Sequence, residues 1–132
     1  MFGFDFQLIE DRSAEVAKAA KRASAKVLGK SAGRIRKAEV RSFQRSAGPS
    51  TPGSPPNTRK GLARQAVRFD VDRENLEAVI GPRASVIGEA MAAHEFGEEY
   101  RGSQYPERPF AGPALEENAP LFAEDFRGSI GE

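Results

Sequence analysis

Twelve residues near the middle of the chain, Ala47-Gly48-Pro49-Ser50-Thr51-Pro52-Gly53-Ser54-Pro55-Pro56-Asn57-Thr58, constrain how everything around them can fold. Proline fixes φ and lacks a backbone donor, and glycine adds conformational freedom, so this segment can be neither a helix interior nor a central strand. It separates an Ala/Lys/Arg-rich first part from a second part of different periodicity. Structureless stretches of this length are uncommon within compact domains unless they are functional or disordered. Residues 47–60, with Pro49, Pro52, Pro55 and Pro56, therefore read either as a solvated linker or as an interface arm that orders on a partner.

Upstream of this segment, Val16, Ala20, Ala23 and Val27 recur at helical spacing from about Ser13 to Arg45, continued by Leu28, Ala32 and Ile35. The spacing predicts one long helix or two. Ser13 suits an N-cap with Glu15 in the first turn, and Gly29 and Gly33 either bend the helix or permit close packing. The apolar stripe is thin and dominated by Ala, so the helix needs another element to lie against. Downstream, Val67, Phe69 and Val71 alternate with Arg68, Asp70 and Asp72 as in a half-buried strand. A polar turn, Arg73-Glu74-Asn75, leads to a second strand from Leu76 to Ile80, ended by Gly81-Pro82, which predicts an antiparallel hairpin. Val86 to Phe96 reads as a short internal helix stopped by Gly97, and Glu98 to Tyr105 as a hairpin arm or loop. Gly112 and Pro113 fit N-cap and N1 of a C-terminal helix whose Leu115, Ala119, Phe122 and Phe126 share one side, with a kink expected at Pro120. The expected fold is a single α+β domain spanning residues 1–132.

The chain has 132 residues, no Cys and no Trp, and no apolar run near the ~20 residues that would span a bilayer. No disulfide framework or thiolate metal site is available, and the sequence reads as soluble and unexported, with no membrane partner. The formal charge of +1 conceals a polarity: residues 1–64 carry +9 and residues 65–132 carry −8. Such asymmetry fits a basic arm for nucleic acid, or a head and tail that attract one another between copies.

Catalytic chemistry finds little support. His94 is the only histidine, so a two-His zinc site cannot form, and only a hard carboxylate site remains open to a metal. The adjacent acids Glu98-Glu99, Glu116-Glu117 and Glu124-Asp125 point in different directions on either regular structure, so they read as solvated charge. Gly29-Lys30-Ser31-Ala32-Gly33 spells Gly-x-Ser-x-Gly, but it lies within the stretch that reads as helix rather than at the strand-to-helix turn that exposes a nucleophile. It also lacks the upstream glycine of a phosphate loop, because that position is Ser24. The expectation is no enzyme, no cofactor, no metal and no small-molecule substrate. Lys18, Lys21, Arg22, Lys26, Lys30, Arg34, Arg36, Lys37, Arg41 and Arg45 could neutralise phosphates, which makes a nucleic-acid-binding module the alternative reading. These cations spread around the helical wheel without interleaved aromatics, so sequence-specific reading is not expected.

The order of the basic helix, Pro52-Gly53-Ser54-Pro55-Pro56-Asn57-Thr58-Arg59-Lys60-Gly61-Leu62, the strand end Val79-Ile80-Gly81-Pro82, His94-Glu95-Phe96-Gly97 and Tyr105-Pro106-Glu107-Arg108-Pro109-Phe110-Ala111-Gly112-Pro113-Ala114-Leu115-Glu116 resembles the tail-completion and head-tail joining proteins of tailed phages. The resemblance covers roughly residues 15–130. It implies a small α+β subunit of the virion neck, made in the bacterial cytoplasm and arranged as a homo-oligomeric ring around the DNA channel. Its implied partners are connector or stopper, tail terminator and tail tube, with non-specific contact to DNA in the channel. Carried over, Phe96 with Gly97 ends the internal helix against the sheet, and Arg108-Pro109-Phe110 sets the terminal helix on the subunit. Phe69, His94, Tyr105 and Leu115 complete the expected fold and interface anchors. Glu98-Glu99 departs from the smaller Gly- or Thr-containing turn of that family.

Overall fold

The computed structural model describes residues 2–127 and 129, with side chains described from Ala14 onward. The chain is mixed helix and sheet, built around one long N-terminal helix, α1 (Phe2–Ser42). The expected cap at Ser13 is not where α1 starts: Ser13 lies inside the helix. A serine's capping preference is worth only about 1 kcal/mol, and no proline precedes it to enforce a stop. The helix is unbroken at both glycines. At Gly33 the Phe69 ring of the hairpin comes within 3.8 Å of where a Cβ would stand, an ordinary van der Waals contact, so the packing there does not require glycine. Among the described residues nothing lies within 4 Å of where a Cβ on Gly29 would stand.

After α1 the chain turns at Phe43, which is fully buried, and runs through the Pro/Gly-rich loop. That loop is neither free linker nor free arm. Thr58 N–H donates to the Gln44 carbonyl at 2.8 Å and Ser46 N–H to the Thr58 carbonyl at 3.2 Å, closing the base of the loop. Pro49 and Pro52 are exposed, Pro55 is half-buried and Pro56 is buried, so the far limb packs on its own chain. The order comes from intramolecular partners distant in sequence, which local composition does not reveal.

A short helix that periodicity missed, α2 (Leu62–Ala66), starts at Gly61 with φ 79° and runs directly into β1 (Val67–Asp72). β1 pairs antiparallel with β2 (Glu77–Pro82), from Val67 opposite Pro82 to Asp72 opposite Glu77. The Asp72 carboxylate organises the turn by accepting the Glu74 and Asn75 backbone N–H groups at 2.9 and 3.1 Å. Leu76 belongs to that turn at φ 54°, not to the strand, and Gly81-Pro82 remains paired where it was expected to end the strand. Proline is tolerated at the edge of a two-stranded ribbon.

The predicted helix over 86–96 is two helices, α3 (Ala84–Ile87) and α4 (Ala90–Phe96), because Gly88 adopts φ 79° and ψ −171° between them. β3 (Glu99–Tyr100) and β4 (Ser103–Gln104) make a tight hairpin across Arg101 and Gly102, both at positive φ as a two-residue turn of this kind requires. The last helix, α5 (Ala111–Phe126), is capped at Phe110 rather than Gly112. Pro113 then sits in the first turn, where its missing N–H has no intrahelical acceptor in any case.

The core lies where α1 ends. Phe43, Ala63, Val67, Met91 and Phe110 are buried together, with the Phe43 and Phe110 rings 5.1 Å apart and tilted by 52°. Ile35, Ala38 and Ala114 form a second cluster that joins α1 to α5. At the far end of α5, Asp125 accepts from Arg34 at 2.8 and 3.2 Å and from Ser31 at 3.2 Å, and pairs with Lys30 at 3.2 Å. The Arg34 hydrogen bonds, helped by Lys30, hold the Asp125 carboxyl down at about 2. Among the described residues, no helix is long and apolar enough to cross a membrane.

Candidate functional site

The segment His94-Glu95-Phe96-Gly97 meets Tyr105 to Gly112 in one clasp, and Glu95 is its centre. From the last turns of α4 its carboxylate reaches the start of α5 and accepts three backbone N–H groups: Phe110 at 2.7 Å, Ala111 at 2.9 Å and Gly112 at 2.8 Å. The first N–H groups of a helix lack intrahelical acceptors and carry partial positive charge, so an anion there satisfies both needs. Gly112 is part of the fit, since a Cβ at that position would stand 3.2 Å from Glu95 Oε1.

The neighbouring residues tighten the same joint. His94 accepts the Arg108 N–H on its backbone carbonyl, at 2.6 Å, while its ring meets the Tyr105 ring edge-on at 4.8 Å. Burial, then the Arg108 charge, push the His94 imidazole below its ordinary pKa, and its buried Nδ1 has no hydrogen-bond partner among the described residues. Gly97 ends α4 in the left-handed region at φ 68°, donating to the Ala93 carbonyl at 2.9 Å. A Cβ there would stand 3.1 Å from the Glu107 nitrogen, so both conformation and space require glycine. The Arg108 guanidinium holds the Ser50 carbonyl of the loop through two hydrogen bonds, at 2.9 and 3.1 Å, and Gly53 N–H donates to the Glu107 carbonyl at 2.8 Å. Pro109 is half-buried, and Phe110 enters the core at 3 % exposure.

Two expected anchors face the other way. Phe96 is 68 % exposed and Leu115 56 % exposed, so neither packs its helix against the sheet or core. Phe96 is the last residue of α4, where the chain turns away at Gly97, and Leu115 lies one step around α5 from the buried Ala114. Phe69 is intermediate in role: its ring covers Gly33, yet the residue remains 39 % exposed. Of the cations on α1, Lys21 is paired with Glu74, Lys30 and Arg34 with Asp125, and Arg36 donates to the Val67 carbonyl at 2.9 Å.

Glu39 was not singled out by the sequence reading. It is 1 % exposed, and its Oε2 has no hydrogen-bond partner among the described residues. The signal was present: Glu39 falls four residues after Ile35, on the apolar side of α1. Burial, reinforced by the nearby Glu95 charge, raises its carboxyl from 4.5 to about 7. Below pH 4.5 Glu39 is protonated in folded and unfolded chains alike, and it imposes no pH-dependent penalty. Between 4.5 and 7 only the unfolded chain ionises freely, so stability falls as pH rises, and above 7 the loss levels off at about 3 kcal/mol. Comparing urea unfolding of wild type and Glu39→Met at pH 4.5 and pH 8 is expected to show this difference, with the variant gaining relative stability only as pH rises. Equal pH dependence in the two proteins would contradict it.

Among the described residues no group of three or more His, Cys, Asp or Glu could hold a metal ion. The carboxylate of Glu95, the acid beside the only histidine, is occupied by three backbone donors. The clasp fixes the geometry of α4, α5 and the loop and leaves large apolar side chains outside it. Comparisons with protein-family models, with curated proteins and with solved structures find no match.

Proposed function

We propose that this chain is a non-enzymatic structural subunit of a tailed phage or phage-like particle, placed in the neck where the head connector meets the tail. The observation that carries the reading is the convergence of segments far apart in sequence. The proline-rich loop, His94–Gly97 and Tyr105–Gly112, which bear the resemblance to head-tail joining proteins, come together in a single clasp. Their residues rigidify a presented shape. Phe96, Val79 and Leu115, at 68, 74 and 56 % exposure, supply apolar contact points outside it. A small rigid subunit with outward anchors and oppositely charged halves suits head-to-tail association into a ring of copies around the channel.

Deleting the gene from the phage or prophage that encodes this chain is expected to yield filled heads and separate tails. Mass spectrometry of purified intact particles is expected to find the chain. Complete infectious particles without it would overturn the reading.

A nucleic-acid-binding role is favoured by one feature, a groove between α1 and the end of α5 lined by Arg22, Lys26, Lys30 and Arg127. Glu124 and Asp125 line the same groove and offset its charge. Tight duplex binding by the isolated chain, falling steeply with salt, would support this alternative over assembly.

A further inference from the structure

We propose that the groove formed by β2, α3, α4 and the β3–β4 hairpin is the socket for residues 14–26 of α1 from a second copy of this chain. The inference deepens the ring-subunit reading and rests on it. The groove has a volume of about 550 Å³ and a largely apolar floor that includes Ile80, Pro82, Met91, Ala92, Phe96 and Tyr100. Its rim carries the exposed acids Glu89, Glu98 and Glu99, and no described Lys or Arg lines it. Glu95, on the same wall, is already held by the backbone of α5.

The matching surface is on the same chain. Residues 14–18 of α1 are all exposed, with Val16 at 57 %, so this part of the helix extends past the elements that cover its C-terminal half. Lys18, Lys21, Arg22 and Lys26 are exposed there, around the half-buried Ala19, Ala20 and Ala23, with Arg22 and Lys26 also bordering the open groove they share with Glu124 and Asp125 of the same chain. Among the described residues Lys21 is held by an exposed pair with Glu74, which contributes little and can exchange. An Ala-rich stripe flanked by cations fits an apolar trough flanked by carboxylates, in the manner of a helix laid in a groove.

The two surfaces cannot meet within one molecule. Ala38 of α1 belongs to the cluster that packs on Ile80 of the groove wall, whereas Lys18 stands 20 residues earlier on the same unbroken helix. At 1.5 Å per residue that is a rigid separation of about 30 Å. Different surfaces on opposite ends of one subunit make a heterologous contact, which propagates from copy to copy until it closes or continues.

The test is a charge exchange between purified full-length chains. One variant reverses the socket, Glu98→Lys with Glu99→Lys; the other reverses the helix, Lys18→Glu with Arg22→Glu. All four positions are exposed, so unchanged urea midpoints confirm that each variant is folded. By sedimentation, the wild type is expected to self-associate, and each variant alone to do so at least about tenfold more weakly. Mixing the two variants in equal amounts restores complementary charge at every contact and is expected to restore association to about the wild-type level. A wild type that stays monomeric at about 100 µM, an unaffected single variant, or a mixture that does not recover would overturn the pairing. Overturning it while the chain is still found in particles would leave the neck reading standing; a successful exchange with the chain absent from particles would do the reverse.

Discussion

Replacing Glu95 with Ala is expected to lower the unfolding free energy by about 3–5 kcal/mol. Three charge-assisted hydrogen bonds to the Phe110, Ala111 and Gly112 N–H groups disappear together, and those donors sit in a part-buried joint where water replaces the carboxylate poorly. Against a typical total of about 5–15 kcal/mol this is a large fraction. Urea unfolding measures the loss, and hydrogen exchange localises it to the start of α5. Glu95→Gln, which keeps an acceptor oxygen without the charge, is expected to fall between wild type and Glu95→Ala. A cost below about 1 kcal/mol for Glu95→Ala would mean that α5 is held by its apolar face alone.

Phe110→Ala is expected to be comparably severe. Its ring is 3 % exposed and lies against Phe43 at 5.1 Å, at the meeting point of α1, α2, β1 and α4. Truncating a buried phenylalanine costs about 3–5 kcal/mol, through lost transfer energy and the cavity left behind. Equilibrium denaturation of the isolated chain measures the loss. Leu115→Ala is the control: at 56 % exposure it is expected to change stability by no more than about 0.5 kcal/mol. Equal losses from the two substitutions would contradict the buried position of Phe110.

The legible part of the fold was the part set by local pattern. Helical spacing from Val16 to Ile35, the alternation of Val67, Phe69 and Val71, and the run from Leu115 to Phe126 each mark an element that the structure contains. What was illegible depends on contacts across the chain. Glu95 caps a helix that begins 16 residues later, beyond the reach of any short capping signature. The proline-rich loop reads as unstructured because its partners, Glu107 and Arg108, lie more than 50 residues away. Gly88, which divides α3 from α4, looks like any tolerated helical glycine until its φ of 79° is seen. Phe96 and Leu115 illustrate a further limit: periodicity identifies apolar positions, and only packing shows which of them face outward.

The stitched loop also determines where this polypeptide can be opened. Loop tips rich in Pro, Gly and Ser are ordinarily the places where proteases nick a domain and where insertions go unnoticed. Here Ser50 is gripped by Arg108 on one side of Thr51-Pro52, and Gly53 is bonded to Glu107 on the other, with the Gln44–Thr58 bond closing the base. Cleavage between Thr51 and Pro52 would therefore create two new ends already anchored to the same short stretch of backbone, and the severed pieces would remain one body.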